Sequence, residues 1–141
     1  MRLSYECVRE VLLSIEKLHQ IAEDEDGQLT MNQVRINTVF SDLPKFKEED
    51  ILYTVLMLDQ AGYIDASYDW LSGNVIAYCD INRMNYKGHE LLDKIRDGKR
   101  WSIIKKALSS VRDYSLDAIK ATAEGVTGAA ITALFSSGQA L

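Results

Sequence analysis

Apolar residues along this chain recur with two different periods, and each change of period marks an element. Tyr5, Val8, Leu12, Ile15 and Leu18 return every three or four positions behind Ser4, a good N-cap, and predict a helix from about Ser4 to Gln20. It runs into Glu23-Asp24-Glu25-Asp26-Gly27, an acidic stretch closed by glycine that reads as a loop. Val34, Ile36 and Thr38 then alternate with Arg35, Asn37 and Val39, the period of a short strand. After Phe46 and Lys47, the acids Glu48, Glu49 and Asp50 suit the positive end of a helix, and Phe46 can staple onto Ile51. Ile51, Leu52, Val55 and Leu58 supply its buried stripe and Gly62 its stop, which predicts a helix over Glu48 to Ala61.

Beyond Gly62 the period falls back to two. Tyr63 to Tyr68 and Asn74 to Ile81 are rich in β-branched and aromatic residues, and Asp69-Trp70-Leu71-Ser72-Gly73 joins them as a turn. Asn85 caps a further helix bearing Leu91, Leu92 and Ile95, and Asp97-Gly98 breaks it. Trp101, Ile104, Leu108 and Val111 mark another helix, and Ser115 caps a last one reaching about Leu134. Helix, strand, helix, two-stranded hairpin, helix is the order of a winged-helix domain. The expected fold is therefore α+β: a winged-helix-like domain over residues 1–97, then two C-terminal helices over 98–141 as an extension and candidate oligomerisation element. One piece is missing, because a three-helix core needs a helix that residues 37–45 leave little room for.

Composition narrows the class. The chain has 141 residues, 47% hydrophobic and 26% charged, which is ordinary globular composition with one domain's length. The first ten residues carry charges too often for a signal peptide, and no apolar run reaches the roughly 20 residues of a membrane span. Cys7 and Cys79 lie far apart without C-x-x-C spacing, so they read as buried small hydrophobes in a reducing cytosol. These signs point to a cytoplasmic protein with no membrane contact and no cofactor.

The stretch Tyr86-Lys87-Gly88-His89-Glu90-Leu91-Leu92-Asp93-Lys94-Ile95-Arg96, followed by Trp101, resembles the signature of an uncharacterised bacterial family of short phage- and prophage-associated proteins. Similar features extend to the acids before Ile51, to Leu58-Asp59-Gln60-Ala61-Gly62-Tyr63-Ile64 and to Ser115-Leu116-Asp117-Ala118-Ile119-Lys120. The resemblance implies a winged-helix-like fold and a mobile-element origin, and it implies no activity.

Catalytic chemistry finds little footing in the residues. His89-Glu90 lacks the second histidine of H-E-x-x-H, since Asp93 stands in its place, and His89 with Asp93 makes two ligands where a metal needs three or four. A histidine packed in the first turn of a helix explains His89 more simply. There is no G-x-S-x-G, phosphate loop or dinucleotide fingerprint. A non-enzymatic protein is expected.

Charge is distributed unevenly. Of the formal net charge of −5, residues 94–112 carry seven Lys/Arg against one acid. Lys94, Arg96, Lys99, Arg100, Lys105, Lys106 and Arg112 are the candidate nucleic-acid contacts, through phosphates alone; the bland alternative is a solvated helix face that balances acids elsewhere. The helix that would enter a groove in a winged-helix protein opens instead with Glu48, Glu49 and Asp50, and the wing holds Asp65, Asp69 and Asp80 with Arg83 at its base. Glu49, Tyr53 and Met57 on that helix, with Trp70 and Leu71 on the wing, form a candidate protein-binding face for a basic partner such as a host protein.

The last helix stands apart. Leu116, Ile119, Ala123, Val126, Ala130 and Ala133 follow a 3-4-3-4-3 spacing, and after Lys120 the only charge is Glu124. Such a helix must be covered, either by its own domain or by a symmetry mate; the candidate self-association face, for a dimer or higher oligomer, is Leu116, Ile119, Ala123, Val126, Ala130 and Leu134. Two routes stay open: a protein-binding module of phage or prophage type that modulates a host factor, or a dimeric DNA-binding regulator.

Overall fold

The computed structural model describes the backbone of residues 1–136 and the side chains of residues 1–126. Helix α1 (Tyr5–Leu18) starts where the Ser4 hydroxyl accepts the Cys7 amide at 3.3 Å, and it buries Cys7, Val8, Val11, Leu12 and Ile15. The acidic stretch expected as a loop is the turn of a small antiparallel hairpin, β1 (Ile21–Glu23) and β2 (Leu29–Met31). The Asp24 carboxylate closes that turn by accepting the amides of Asp26 and Gln28, both at 2.9 Å.

The strand expected from Val34 to Val39 is a correction. Only β3 (Val34–Arg35) is extended, and α2 (Ile36–Asp42) follows at once. Ile36, Val39 and Leu43 recur at helical spacing and all three are buried, whereas Thr38 is exposed. Burying the three on one face outweighs the strand preference of β-branched residues. The helix for which residues 37–45 left little room is thus present and brief.

Helix α3 (Glu48–Gln60) buries Ile51, Thr54, Val55 and Leu58, and Gly62 leaves it at φ +83°, in the left-handed region that favours glycine. The chain then enters β4 (Ile64–Leu71) and returns through β5 (Val75–Met84). Trp70 and Leu71, expected in the turn, are the last residues of β4 and pair with Ile76 and Val75. The strands run further than propensity indicated because cross-strand apolar pairs continue to their ends. β5 lies between β3 and β4 in the three-stranded sheet.

Helices α4 (Tyr86–Ile95), α5 (Gly98–Val111) and α6 (Leu116–Ser136) complete the fold. A Cβ on Gly88 would lie 2.3 Å from the Tyr63 carbonyl oxygen and 2.6 Å from Met84 Cγ, so only glycine lets α4 approach the sheet this closely. Asp97 caps α5 by accepting the Arg100 amide at 2.9 Å. Trp101, Ile104 and Leu108 join one buried cluster that runs from Leu3 to Ala123 and crosses the expected boundary at residue 97. The architecture is mixed α+β, with six helices and two small antiparallel sheets among the described residues.

Candidate interaction surfaces

Three of the seven cations between Lys94 and Arg112 are engaged inside the fold. Arg96 holds the Glu16 carboxylate with both terminal nitrogens, at 2.7 and 2.6 Å, and also reaches Asp93 at 3.2 Å. Hydrogen bonds from Arg96 take the Glu16 carboxyl below its ordinary pKa. Lys105 meets Glu6 at 2.5 Å, and Lys94 lies 3.7 Å from Glu124. Burial alone would raise the Glu6 carboxyl, yet the bonds from Lys105 and from Trp101 Nε1 (3.3 Å) bring it below the usual range. Lys99, Arg100, Lys106 and Arg112 meet no acid among the described residues.

Arg9 completes this seam. It donates from Nε to the Ile95 carbonyl at 2.8 Å and from a terminal nitrogen to the Arg96 carbonyl at 2.7 Å, and its guanidinium lies 5.8 Å from the centre of the Trp101 ring. A helix C-terminus leaves carbonyls without intrahelical donors and carries partial negative charge, so Arg9 satisfies α4 where that helix ends.

The expected protein-binding face divides in two. Tyr53 and Met57 are half-buried and line a groove of about 450 Å³ with Leu3, Gln60, Tyr114 and Leu116, while Glu49 is exposed on the first turn of α3. Tyr114 belongs to a stack: it lies face to face with Tyr5 at 5.4 Å and under the Arg2 guanidinium at 4.4 Å. No residue of the β4–β5 hairpin lines that groove.

The β4–β5 hairpin carries the larger apolar exposure. Trp70, Leu71, Val75 and Tyr78 are 51%, 56%, 53% and 49% exposed. Residues in register share a face, so Leu71 and Val75 lie together, as do Trp70 and Ile76. The Trp70 ring sits 6.3 Å from Tyr68, whose hydroxyl donates to Asp59 at 3.1 Å; burial pushes that hydroxyl's pKa up. Beside the hairpin is a cleft of about 420 Å³ whose walls include Ile36, Phe40, Leu52 and Ile76. Val75 and Tyr78 were absent from the sequence-based face, although the alternation after Asn74 was visible. The small hairpin also exposes Ile21, Leu29 and Met31.

Helix α6 is covered by its own chain as far as its side chains are described. Leu116, Ile119 and Ala123 are buried and Val126 packs against the same core. Ala130, Ala133 and Leu134 of the expected self-association face have side chains outside the described residues. The two thiols are buried, with Cys79 pushed up by burial to about 12, which keeps it protonated and unreactive. His89 is exposed, and its helix neighbour Asp93 is bonded to Arg96.

A family model described as "Hypothetical protein (DUF2513)" matches residues 2–112, from the segment before α1 to the end of α5. The chain belongs to that family. An uncharacterized protein of Haemophilus influenzae is 28% identical to it over 134 residues, covering 89% of this chain and 95% of that protein. No solved structure matches. Among the described residues no helix is long and apolar enough to cross a membrane.

Proposed function

We propose that this chain is a non-enzymatic winged-helix protein of phage or prophage type that acts in the cytoplasm by binding another protein through its wing. Support for the winged-helix reading comes from the succession α1, β3, α2, α3, β4, β5, interrupted by the inserted β1–β2 hairpin after α1, with β5 between its two partner strands. The observation that carries the protein-binding reading is the half-exposed set Trp70, Leu71, Val75 and Tyr78 on one hairpin. Apolar side chains gathered on a projecting element mark interaction sites, and aromatics are the residues that interfaces concentrate. The acids Asp65, Asp69 and Asp80 around them suit a basic partner and repel phosphate. A host protein is the natural partner for a mobile-element product.

A second reading keeps one observation of its own. Lys99, Arg100, Lys106 and Arg112 form a cationic surface that non-specific DNA could use. It is weakened because Lys94, Arg96 and Lys105 are engaged with acids. For self-association through α6, Leu116, Ile119 and Ala123 are already buried in the chain's own core and Val126 packs against it, while Ala130 and Leu134 lie outside the described side chains.

The test pairs two measurements. Anisotropy with labelled random duplex DNA, at low and physiological salt, should show no binding. Affinity that falls steeply with salt and vanishes in Lys99→Glu/Arg100→Glu would replace the proposal with the DNA reading. The tagged protein should retain a discrete host protein from lysate, and Trp70→Ala/Tyr78→Ala should lose it while still folded.

A further inference from the structure

We infer that the wing takes an extended peptide with apolar and basic side chains as an added strand along the free edge of β5. This rests on the protein-binding reading and names its mode. β3 pairs with β5 only at Val34–Ile81 and Arg35–Asp80, because the chain turns into α2 at Ile36. Beyond Asp80, among the described residues, no strand or side chain on that side bonds the backbone of Val75–Cys79. β4 covers the other edge, with Ala77 an unpaired bulge residue between the Asp69–Tyr78 and Trp70–Ile76 pairs. The N–H and C=O groups that do not face β4 therefore point outward without strict alternation. Cys79 is buried in the core, so the open stretch is Val75–Tyr78, roughly 13 Å long at ~3.3 Å per residue, the length of a short strand.

What adjoins the edge selects the occupant. The cleft walled by Ile36, Phe40, Leu52 and Ile76 lies alongside it, so an added strand would turn every second side chain into an apolar hollow. Asp80 lines the cleft, and Glu48 lines the neighbouring hollow that shares Asn37 and Phe40. Arg35 is the one cation lining the cleft, placed opposite Asp80 in the β3–β5 ladder. With Asp65 and Asp69 on the same hairpin, the surroundings favour Lys or Arg on the solvent side of the peptide. The outer edge of β4 is a poorer template: Asp59 already accepts the Ala66 amide at 3.0 Å, and Asp65 and Asp69 lie along that strand.

The experiment is selection from a display library of decapeptides, with alternate positions varied among apolar residues and Lys or Arg between them. Selected peptides should slow amide hydrogen exchange at the outward-facing amides within Val75–Tyr78. N-methylation of the peptide's alternate amides should weaken binding by about tenfold or more, since two or three main-chain hydrogen bonds are lost. Phe40→Ala, which leaves the β5 backbone intact, should weaken it by a similar factor. Strand addition is overturned if no peptide is enriched, if N-methylated peptides bind equally well, or if protection falls elsewhere. It is also overturned if concentrating the free protein alone protects Val75–Tyr78, which would make the occupant a second copy. A host protein still lost in Trp70→Ala/Tyr78→Ala would then leave the broader protein-binding reading standing; without such a protein both fall.

Discussion

The segment from Lys94 to Arg112 and the hairpin from Ile64 to Met84 both look like surfaces in the sequence, one cationic and one apolar. In the fold they diverge. Two cations of the first reach back to α1: Arg96 holds Glu16, Lys105 holds Glu6, and Arg9 of α1 in turn binds the end of α4. The apolar residues of the second hold nothing comparable, and Trp70, Leu71, Val75 and Tyr78 face water by half. Three of the seven conspicuous cations are committed to architecture, while the exposed hydrophobic area was left over. An apolar group left in water is the more informative surface, because solubility gives no reason to keep it there.

Substitutions on either side should separate the two regions, and the largest effect belongs to the seam. Trp101, only 4% exposed, should cost about 3–5 kcal/mol on change to alanine, measured by urea unfolding. A neutral result would mean that α5 is not part of the core. Gly88→Ala should cost about 3 kcal/mol, because its Cβ meets the Tyr63 carbonyl and α4 must retreat from the sheet. Arg9→Ala should cost about 2 kcal/mol, since two carbonyls lose a charged donor, and Arg9→Lys should recover only part of it.

Smaller effects test charge and wing. Glu16→Gln should cost less than about 1 kcal/mol at neutral pH, because the Arg96 pair is partly exposed. The sign with pH follows from the lowered carboxyl of Glu16. Its contribution is present above the unfolded value near 4.5 and fades as pH drops through the lower folded value, so the variant's deficit should shrink in acid. Trp70→Ala should change stability by no more than about 0.5 kcal/mol while abolishing partner capture. A large loss of stability there would show that the wing is built like the seam and would dissolve the contrast.

Helix α3 was legible almost to the residue, since acids open it, one apolar stripe runs through it and Gly62 ends it. Residues 34–42 were not. Val34, Ile36 and Thr38 fit a period of two, Ile36, Val39 and Leu43 fit a helix, and Arg35 at the N-cap position makes no side-chain cap bond to mark a start. The hairpin of β1 and β2 is exposed throughout, so no burial pattern announced it. The fate of the basic segment was illegible for another reason: Arg96 and Glu16 stand 80 positions apart, and charge counted along the chain does not register a partner that distant. The open edge of β5 depends on where β3 stops, which was the boundary most easily misread.

The chain has two tryptophans, and they fall one in each region: Trp101 buried beside Glu6, Trp70 half in water on the wing. Their emission should therefore separate by colour, the shielded indole to the blue and the wetted one to the red. Iodide should quench only the latter. The protein thus carries a native optical reporter for each half of the contrast, so unfolding of the body and occupancy of the wing can be followed in one cuvette without a label.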